Sequence, residues 1–257
     1  MTLEGRVALV TGGGRGIGRG IALGLAADGA DVAITYRKDA DAAEEVVGQI
    51  RAMGRDALAV AADVTVPDDN QRTVDAVVAH FGQLDIVVNN GGIASRGRLV
   101  ADTDPAELLR VVATHALGPH DLCSKAIPHL RQRPRSDIVM ISSVATLGFA
   151  AGGAPYSMGK AALEALAWTL AKEERPHGMH VNVVAPGLVE SEMGRRLARA
   201  TAGVEDIHEL DERMPFGRVC QPSDVADVVR FVVSDQAAYL TGERLNVHGG
   251  GQDWRQG

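Results

Sequence analysis

The sequence predicts an α/β fold of three layers, in which a doubly wound, seven-stranded parallel sheet lies between two layers of helices. Short apolar runs rich in β-branched residues alternate with longer segments of helical periodicity along the whole chain. Most of the short runs are apolar throughout, which is typical of parallel strands that are buried on both faces. Neither a repeat nor a linker interrupts the pattern, so we expect a single domain over residues 1–257.

The elements are predicted in the following order. The strands are expected at Val7–Val10, Val32–Thr35, Ala57–Val60, Ile86–Val88, Ile138–Ile141, Val181–Val184 and Arg244–Val247. The helices between them are expected to begin near Ile17, Ala40, Asp68, Asp104, Tyr156 and Pro222. A charged, helical insertion at about residues 188–215 breaks the alternation just after a strand, where α/β proteins bind ligands. It is interpreted as a substrate lid, with a surface excursion as the alternative.

The composition of the 257-residue chain is that of a soluble globular protein, with 46% hydrophobic and 23% charged residues. A net charge of −7 argues against a nucleic-acid binder and against a basic protein of membrane surfaces. The start of the sequence has no secretory-signal pattern, so a cytoplasmic location is expected. Cys123 and Cys220 form no CxxC pair and are expected to be reduced thiols. The histidines have no metal-ligand spacing, so no metal is expected.

A glycine-rich turn, Thr11-Gly-Gly-Gly-Arg-Gly-Ile-Gly18, follows the first strand. Glycines at a strand-to-helix turn let the backbone approach a pyrophosphate, and the helix N-terminus offers unpaired N–H groups. The spacing departs from GxGxxG, because Ile17 stands where a frame beginning at Gly12 needs its last glycine; the usable glycines are Gly12, Gly16 and Gly18. The turn predicts a phosphate cradle, and a flexible turn without a ligand is the alternative.

The second strand ends without the acidic residue that NAD(H) sites use to hold the ribose 2′-hydroxyl. Arg37 stands at this strand end, and Arg15 lies within the glycine turn. Two guanidinium groups can bracket a 2′-phosphate, because their paired N–H groups match its oxygens. We therefore expect NADP(H) in preference to NAD(H), the alternative being two solvated arginines.

Tyr156 and Lys160 are four residues apart at the start of a predicted helix, which places both on one face. Lowering a tyrosine pKa from about 10 to about 7 requires roughly 4 kcal/mol. An ammonium about 4 Å away supplies a similar amount at an effective dielectric constant near 20. We therefore expect Lys160 to acidify Tyr156, with Ser143 close by at the end of a strand.

Seven ordered motifs run along the chain: Thr11–Gly18, Asp63-Val64, Asn89–Gly92, Ile141–Ser143, Tyr156–Lys160, Asn182–Gly187, and Tyr239–Gly242 leading to Gly249-Gly250. Together they resemble the short-chain dehydrogenase/reductase family, of the type that includes 3-oxoacyl-carrier-protein reductases, over nearly the whole chain. The resemblance implies a Rossmann fold and an oxidoreductase that transfers hydride between a nicotinamide and a ketone or secondary alcohol. It also implies a homotetramer, built through the long helices on either side of the Ser143 strand and through the C-terminal segment.

The resemblance also implies roles for individual residues. Tyr156 would be the general acid/base, Lys160 would lower its pKa and hold the nicotinamide ribose, and Ser143 would bind the substrate oxygen. With the glycine turn and the two arginines, the expected cofactor contacts are Gly12, Arg15, Gly16, Ile17, Gly18, Arg37, Asp63, Val64, Asn90, Tyr156, Lys160, Pro186, Gly187, Val189 and Ser191.

Three positions depart from the family pattern. His115 replaces an asparagine that is thought to anchor a water in the proton path to the lysine. We expect His115 to support activity as a fourth catalytic residue and to add a pH dependence, because imidazole titrates near pH 6.5. The alternative is a packed helix histidine that is tolerated at some loss of rate. Gly92 replaces an alanine and enlarges the space near the cofactor, and Ser191 replaces a threonine but keeps its hydroxyl.

The substrate is left open by the sequence. Arg131, Arg133 and Arg135 form a basic cluster that can meet an acidic acyl-carrier protein or can simply be a solvated face. A sugar, polyol or secondary-metabolite ketone competes with a 3-oxoacyl thioester as the substrate. A different class also stays open, a cofactor-binding sensor or assembly protein with weakened chemistry, and His115 is the argument for it.

Overall fold

All seven strands belong to one parallel sheet in the order β3-β2-β1-β4-β5-β6-β7. The computed structural model describes residues 2–251. The strands are β1 Val7–Val10, β2 Asp31–Tyr36, β3 Ala57–Ala61, β4 Ile86–Asn89, β5 Ser136–Ile141, β6 Met179–Pro186 and β7 Arg244–Val247. The predicted fold class is confirmed, and β1 and β7 have the predicted bounds. The other strands extend beyond them by at most two residues at an end.

Helices cover both faces of the sheet. They are α1 Gly16–Ala27, α2 Ala40–Ala52, α3 Pro67–Phe81, α4 Pro105–Val112, α5 Gly118–Leu130, α6 Ala145–Gly148, α7 Ala154–Glu174, α8 Glu192–Ala202 and α9 Pro222–Val232. The predicted helix starts lie within two residues of the observed ones. The short α6 has no counterpart among the predicted helices, because four residues are too few to show a helical period.

A π-helical segment, Ala113–Leu117, joins α4 to α5 and carries His115. Pro119, in the first turn of α5, has no N–H to donate to the carbonyl of His115, so the α-helical hydrogen bond is missing there. The Gly118 N–H reaches back to the carbonyl of Ala113 instead. The bulge sets the direction in which His115 leaves the helix.

Two apolar cores lie on opposite faces of the sheet. Ala8 and Val10 of β1 pack with α1, α2 and α9, whereas Leu9 packs with α3, α5 and α7. All three side chains are fully buried. This alternation within an apolar strand is what a sheet covered on both faces requires.

The segment predicted as a lid contains α8 and a 3₁₀ segment, Ile207–Arg213, so its helical character is as expected. Ala198, Ile207 and Leu210 form a small apolar cluster with Val219 that is separate from the two main cores. The segment therefore has a small apolar core of its own. Its action as a lid stays a prediction. Among residues 2–251, no helix is both long and apolar enough to cross a bilayer.

The predicted basic cluster is used within the fold. Arg131 forms two hydrogen bonds with Glu174, at 2.8 and 2.7 Å, and Arg133 donates to Asp85 at 2.7 Å. Arg135 pairs with Asp137 at 3.2 Å. The carboxylates are nearly inaccessible, whereas the arginine side chains stay partly exposed, so the arginines are held within the fold and contact with a carrier protein stays a prediction. The cluster precedes β5 and lies at the amino edge of the sheet, whereas Ser143 follows the carboxyl end of the same strand.

Candidate active site

The carboxyl edge of the sheet collects the predicted site residues. The glycine turn follows β1, Asn90 follows β4, Ser143 follows β5, and the segment Gly187–Ser191 follows β6. Since all the strands are parallel, these segments emerge on the same edge. The chain also reverses its direction of winding between β1 and β4, and such a switch point opens a crevice in which α/β proteins bind ligands.

The glycine turn has room for nothing larger than hydrogen at several positions. Gly12 and Gly16 adopt positive φ angles of 63° and 53°. A Cβ at Gly18 would collide with the carbonyl oxygen of Gly12, and a Cβ at Gly13 would lie 2.5 Å from Cγ2 of Ile34. Gly13 is thus a required glycine that the predicted spacing left out. No side chain of the described residues caps α1, so its first N–H groups face the turn and fit an anionic phosphate.

Asn90 holds the turn to the neighbouring strand. Its amide donates to the carbonyl oxygens of Thr11, at 2.8 Å, and Gly12, at 3.3 Å. The Thr11 hydroxyl in turn accepts the backbone N–H groups of Asn90, at 2.9 Å, and Gly91, at 2.8 Å. These bonds join β1 to β4 across the crevice, and they give Thr11 a scaffold role that the sequence did not reveal.

Both arginines expected at a 2′-phosphate have carboxylate partners. Arg37 lies 3.6 Å from Asp63, which was itself expected near the adenine. Arg15 pairs with Glu192 at the start of α8. Both guanidinium groups are largely exposed, so an incoming phosphate can compete for them. The backbone of Val64 packs against Gly118, where a Cβ would lie 2.5 Å from the Val64 carbonyl oxygen.

Lys160 is buried, with 4% of its surface exposed. Its ammonium donates to the carbonyl of Ile141 at 2.7 Å and lies 5.7 Å from the centre of the Tyr156 ring. Burial lowers the pKa of Lys160 to about 7, and the carboxylate of Glu164, one helical turn further along α7, opposes this. Lys160 can therefore gain or lose a proton near neutral pH.

Ser143 is the polar neighbour that acts on the Tyr156 hydroxyl. Burial raises the pKa of Tyr156, and the Ser143 side chain only partly offsets this effect. The expectation that Lys160 brings the pKa of Tyr156 to about 7 is therefore wrong for this structure. The ammonium donates to the backbone of β5, and desolvation is the largest influence on the pKa of Tyr156. Ser143 also accepts the backbone N–H of Ala145 at 3.2 Å, which orients its hydroxyl.

His115 lies edge-on against Tyr156, with the ring centres 5.0 Å apart and the planes at 79°. Its Nε2 is 2.7 Å from the carbonyl oxygen of Ile93, which can only accept, so Nε2 donates. The other nitrogen, Nδ1, is buried and has no hydrogen-bond partner among residues 2–251. The imidazole thus presents an acceptor nitrogen beside Tyr156 and Lys160.

Burial lowers the pKa of His115 to about 3, and the charge of Lys160 acts in the same direction. The imidazole is therefore neutral at physiological pH, and the prediction that it adds a pH dependence near 6.5 is wrong. Gly92 supplies the space that the ring needs, since a Cβ there would lie 2.6 Å from Cε1 of His115. The glycine at position 92 and the histidine at position 115 are thus sterically linked departures from the family pattern.

The segment after β6 closes the other side of the crevice. Gly187 donates its N–H to the carbonyl of Val247 at 2.9 Å, which ties the turn after Pro186 to β7. Ser191 caps α8 by accepting the Gly194 N–H at 3.0 Å, and its Cβ lies 3.3 Å from where a Cβ at Gly16 would stand. Val189 is buried in the core that α1, α2 and α9 form on one face of the sheet. The segment predicted as a lid thus begins beside the glycine turn.

A second group of polar residues lies behind Ser143 and escaped sequence reasoning. Glu164 of α7 accepts hydrogen bonds from Ser142, Thr146 and Arg244. The repeated spacing of four residues from Tyr156 to Lys160 and then to Glu164 was the available signal, because it places all three on one helical face. In the described part of the chain, no group of three or more His, Cys, Asp or Glu residues is arranged to hold a metal ion.

Comparisons with known proteins agree with this geometry. The family model described as enoyl-(acyl carrier protein) reductase matches residues 12–252. Versicolorin reductase stcU of Emericella nidulans is 38% identical in an alignment of 255 positions that covers 96% of each chain. The 3-oxoacyl-acyl-carrier-protein reductase FabG of Staphylococcus aureus is 38% identical over 247 residues, covering 95% of this chain and 96% of that protein.

A solved structure extends the agreement to the whole fold. A short-chain dehydrogenase from Burkholderia cenocepacia in complex with NADP superposes with a TM-score of 0.87 at 37% identity. The match covers 97% of this chain and 98% of that one. The similarity of sequence and of fold shows that the chain belongs to the short-chain dehydrogenase/reductase family, close to the 3-oxoacyl-acyl-carrier-protein reductases.

Proposed function

We propose that the protein is an NADP(H)-dependent carbonyl reductase that interconverts a ketone and a secondary alcohol. The observation that carries the proposal is the convergence of Ser143, Tyr156 and Lys160 beside the glycine turn at the carboxyl edge of the sheet. The nicotinamide, when bound, supplies or accepts the hydride. The protein supplies the proton, orients the carbonyl oxygen and excludes water.

The protonation states support reduction. A phenol whose pKa is raised by burial stays protonated at neutral pH, which is the form that a general acid needs. Tyr156 donates this proton to the carbonyl oxygen as negative charge develops there, and Ser143 donates a second hydrogen bond to the same oxygen. The ammonium of Lys160, whose pKa is about 7, stabilises the tyrosinate that forms and can return a proton to it.

Replacing Tyr156 with phenylalanine tests this assignment. We expect the Tyr156→Phe variant to lose a factor of about 10² to 10⁴ in kcat, since that is the usual contribution of a positioned general acid. Its Kd for NADPH, followed by fluorescence titration, should rise by no more than about 10-fold, since the variant loses at most one neutral hydrogen bond to the cofactor. Tyr239→Phe is the control, because the Tyr239 side chain is fully exposed. Turnover by Tyr156→Phe at more than a tenth of the unmodified rate would refute the role. NADPH binding by the unmodified protein without turnover on any ketone would favour the sensor or assembly protein.

The preference for NADP(H) rests on Arg15 and Arg37, which lie at the glycine turn and the end of β2 with no acidic residue at that strand end. Removing Arg37 should raise the Kd for NADPH by about 10- to 100-fold, the loss expected for one charge-assisted hydrogen bond. The Kd for NADH should stay within a factor of about three, because NADH has no 2′-phosphate. Arg72→Ala, which removes an exposed arginine of α3, is the control. Equal losses for both cofactors in Arg37→Ala would contradict the proposal.

Two ketone classes are proposed for the substrate. A 3-oxoacyl thioester is supported by the similarity to the FabG reductase. An aromatic ketone is favoured by Phe149 and Phe216, which are exposed at 63% and 88%. Both residues have positive φ angles, 44° and 59°, which are strained for a bulky side chain. Phe149 lies at the end of α6, and Phe216 lies beside Gly249, which follows β7. Comparing kcat/KM for a 3-oxoacyl thioester and a hydroxylated naphthalenone ranks the two classes.

A homotetramer is part of the proposal. Apolar side chains remain exposed on the helices that flank β5, among them Leu109 of α4, Leu117 of the π segment and Trp168 of α7. The C-terminal segment is also expected to contribute, and its last residues, 252–257, lie outside the described residues. Size-exclusion chromatography with light scattering should give four times the 27.0 kDa chain mass. A mass equal to one chain would refute the assembly.

A further inference from the structure

Glu164 lies one helical turn beyond Lys160 on α7 and is 5% exposed. A single carboxylate oxygen, Oε1, accepts hydrogen bonds from the hydroxyls of Ser142 and Thr146, the latter at 2.8 Å. The same oxygen accepts Nε of Arg244 at 3.1 Å. One buried carboxylate therefore joins α7 to the turn that carries Ser143 and to β7.

Arg244 completes the group from the edge strand β7. Its Nη2 donates to the carbonyl oxygen of Ser143 at 3.1 Å and to the hydroxyl of Thr146 at 2.9 Å. Its Nη1 donates to the side chain of Asn246. One guanidinium therefore holds the backbone of the proposed catalytic serine, and its position depends on Glu164.

The contacts fall on both sides of Ser143 in the sequence. Ser142 is held by Glu164, the Ser143 carbonyl by Arg244, and Thr146 by both. A turn tied at three successive points has little freedom to move its serine hydroxyl relative to α7. A buried ion pair adds little to stability compared with apolar packing, so stability alone is a weak reason for charges at these positions.

We infer that Glu164 and Arg244 form a positioning pair, which holds the Ser143 turn in register with Tyr156 and Lys160 and balances the charge around Lys160. The inference rests on the proposed function, because it concerns the same site. Neither residue is assigned a contact with substrate or cofactor. Their role is to act through Ser143 and Lys160.

The charges around Lys160 make the inference quantitative. Lys160 has Tyr156 and Glu164 on its own helix, His115 beside it on the π segment and the Ile141 carbonyl on β5. Arg244 reaches this group from β7 through Glu164. The Glu164 carboxylate favours the protonated amine of Lys160, and the Arg244 guanidinium offsets that effect. Removing one charge or the other should therefore move the Lys160 pKa in opposite directions.

The test uses the full chain labelled with carbon-13 at the lysine ε-carbon. The sequence has four lysines, so each signal can be resolved and that of Lys160 identified by its absence in Lys160→Met. In Glu164→Gln, which keeps an acceptor oxygen but loses the charge, we expect the Lys160 pKa to fall by about one unit. In Arg244→Met, which loses the positive charge, we expect it to rise by about one unit.

Measurements of kcat distinguish the positioning of Ser143 from the effect of charge on Lys160. Arg244→Lys keeps the charge but loses the planar fork that reaches Ser143 and Thr146 together. We expect it to lower kcat by about 10-fold, since small misplacements near the reacting atoms have large effects on rate. In Arg244→Lys, the Lys160 pKa and the pH profile of kcat/KM should be unchanged. In Glu164→Gln and Arg244→Met, the apparent pKa in the pH profile of kcat/KM should follow the shifts seen by NMR.

Glu174→Gln is the matched control. Glu174 is as buried as Glu164, lies on the same helix and forms an ion pair with Arg131, but it is ten residues further along α7. A general effect of losing a buried ion pair would appear in this variant too, whereas the Lys160 pKa should not move. Circular dichroism and the NADPH affinity of each variant report whether the fold is kept.

The inference is overturned if the Lys160 pKa is unchanged in Glu164→Gln and Arg244→Met, or if it moves in the same direction in both. It is also overturned if Arg244→Lys is as active as the unmodified protein. Since the NMR titration needs no turnover, an inactive unmodified protein with opposite pKa shifts would refute the proposed reductase while leaving the charge balance at Lys160 established.

Discussion

A methyl group at Gly92 would collide with the imidazole of His115. The added Cβ would lie 2.6 Å from Cε1 and 3.3 Å from Nδ1 of the ring. An ordinary carbon contact is about 3.5 to 4 Å, so the ring has to move by about 1 Å. The Tyr156 ring, with its centre 5.0 Å away, and the 2.7 Å hydrogen bond to Ile93 oppose that movement.

The expected cost follows from this geometry. Overpacking of this kind destabilises a protein by about 1 to 3 kcal/mol. For a chain of this size, 2 kcal/mol corresponds to a fall in Tm of about 4 to 8 °C. A shift of about 1 Å beside Tyr156 should also lower kcat by about 100-fold. Replacing His115 with asparagine removes the ring, so the Gly92→Ala/His115→Asn double variant should recover most of the stability lost in Gly92→Ala.

A double-mutant cycle measures this coupling. Tm and kcat are determined for the unmodified protein, Gly92→Ala, His115→Asn and the double variant, and we expect a coupling free energy of about 1 to 3 kcal/mol. Gly48→Ala is the control, since Gly48 lies on an exposed face of α2 with nothing within 4 Å of an added Cβ. Effects of the two substitutions that add within about 0.5 kcal/mol would refute the steric reasoning.

Two further predictions concern stability. The pKa of His115 is about 3 in the folded protein against 6.5 when unfolded, so the unfolded state binds more protons between these values and stability falls as the pH drops through this range. At pH 5 the loss is about 2 kcal/mol, and urea unfolding at pH 7.5 and 5.0 should show a smaller pH dependence in His115→Asn; equal dependences would contradict the assignment. Thr11→Val leaves the N–H of Gly91 without its acceptor and leaves that of Asn90 with only the Val88 carbonyl, so it should cost about 1 to 3 kcal/mol. Thr11→Ser, which keeps the hydroxyl, should lose less than half of that in the same assay, and equal losses would show that the hydroxyl is not the cause.

The sequence was sufficient where a local pattern decides the structure. Each apolar run reports burial on both faces of a strand, so the strand positions and the parallel sheet follow from composition and spacing. The helical spacing of Tyr156 and Lys160 and the position of Ser143 at a strand end likewise depend on neighbouring residues. The glycine turn was located correctly, although the need for Gly13 depends on Ile34 of the adjacent strand.

The tertiary structure decided everything that depends on distant partners. Gly92 meets His115, Glu164 meets Arg244, and Arg15 meets Glu192, although these residues lie far apart in the chain. Proton affinities belong to the same group, because the free energy of a charge depends on how much water and which charges surround it in the folded protein. Spacing alone predicted an acidified Tyr156 and a titrating His115, whereas burial raises the pKa of the first and leaves the second neutral. The sequence thus determined which groups come to the site, and only the packing around them determined their charge.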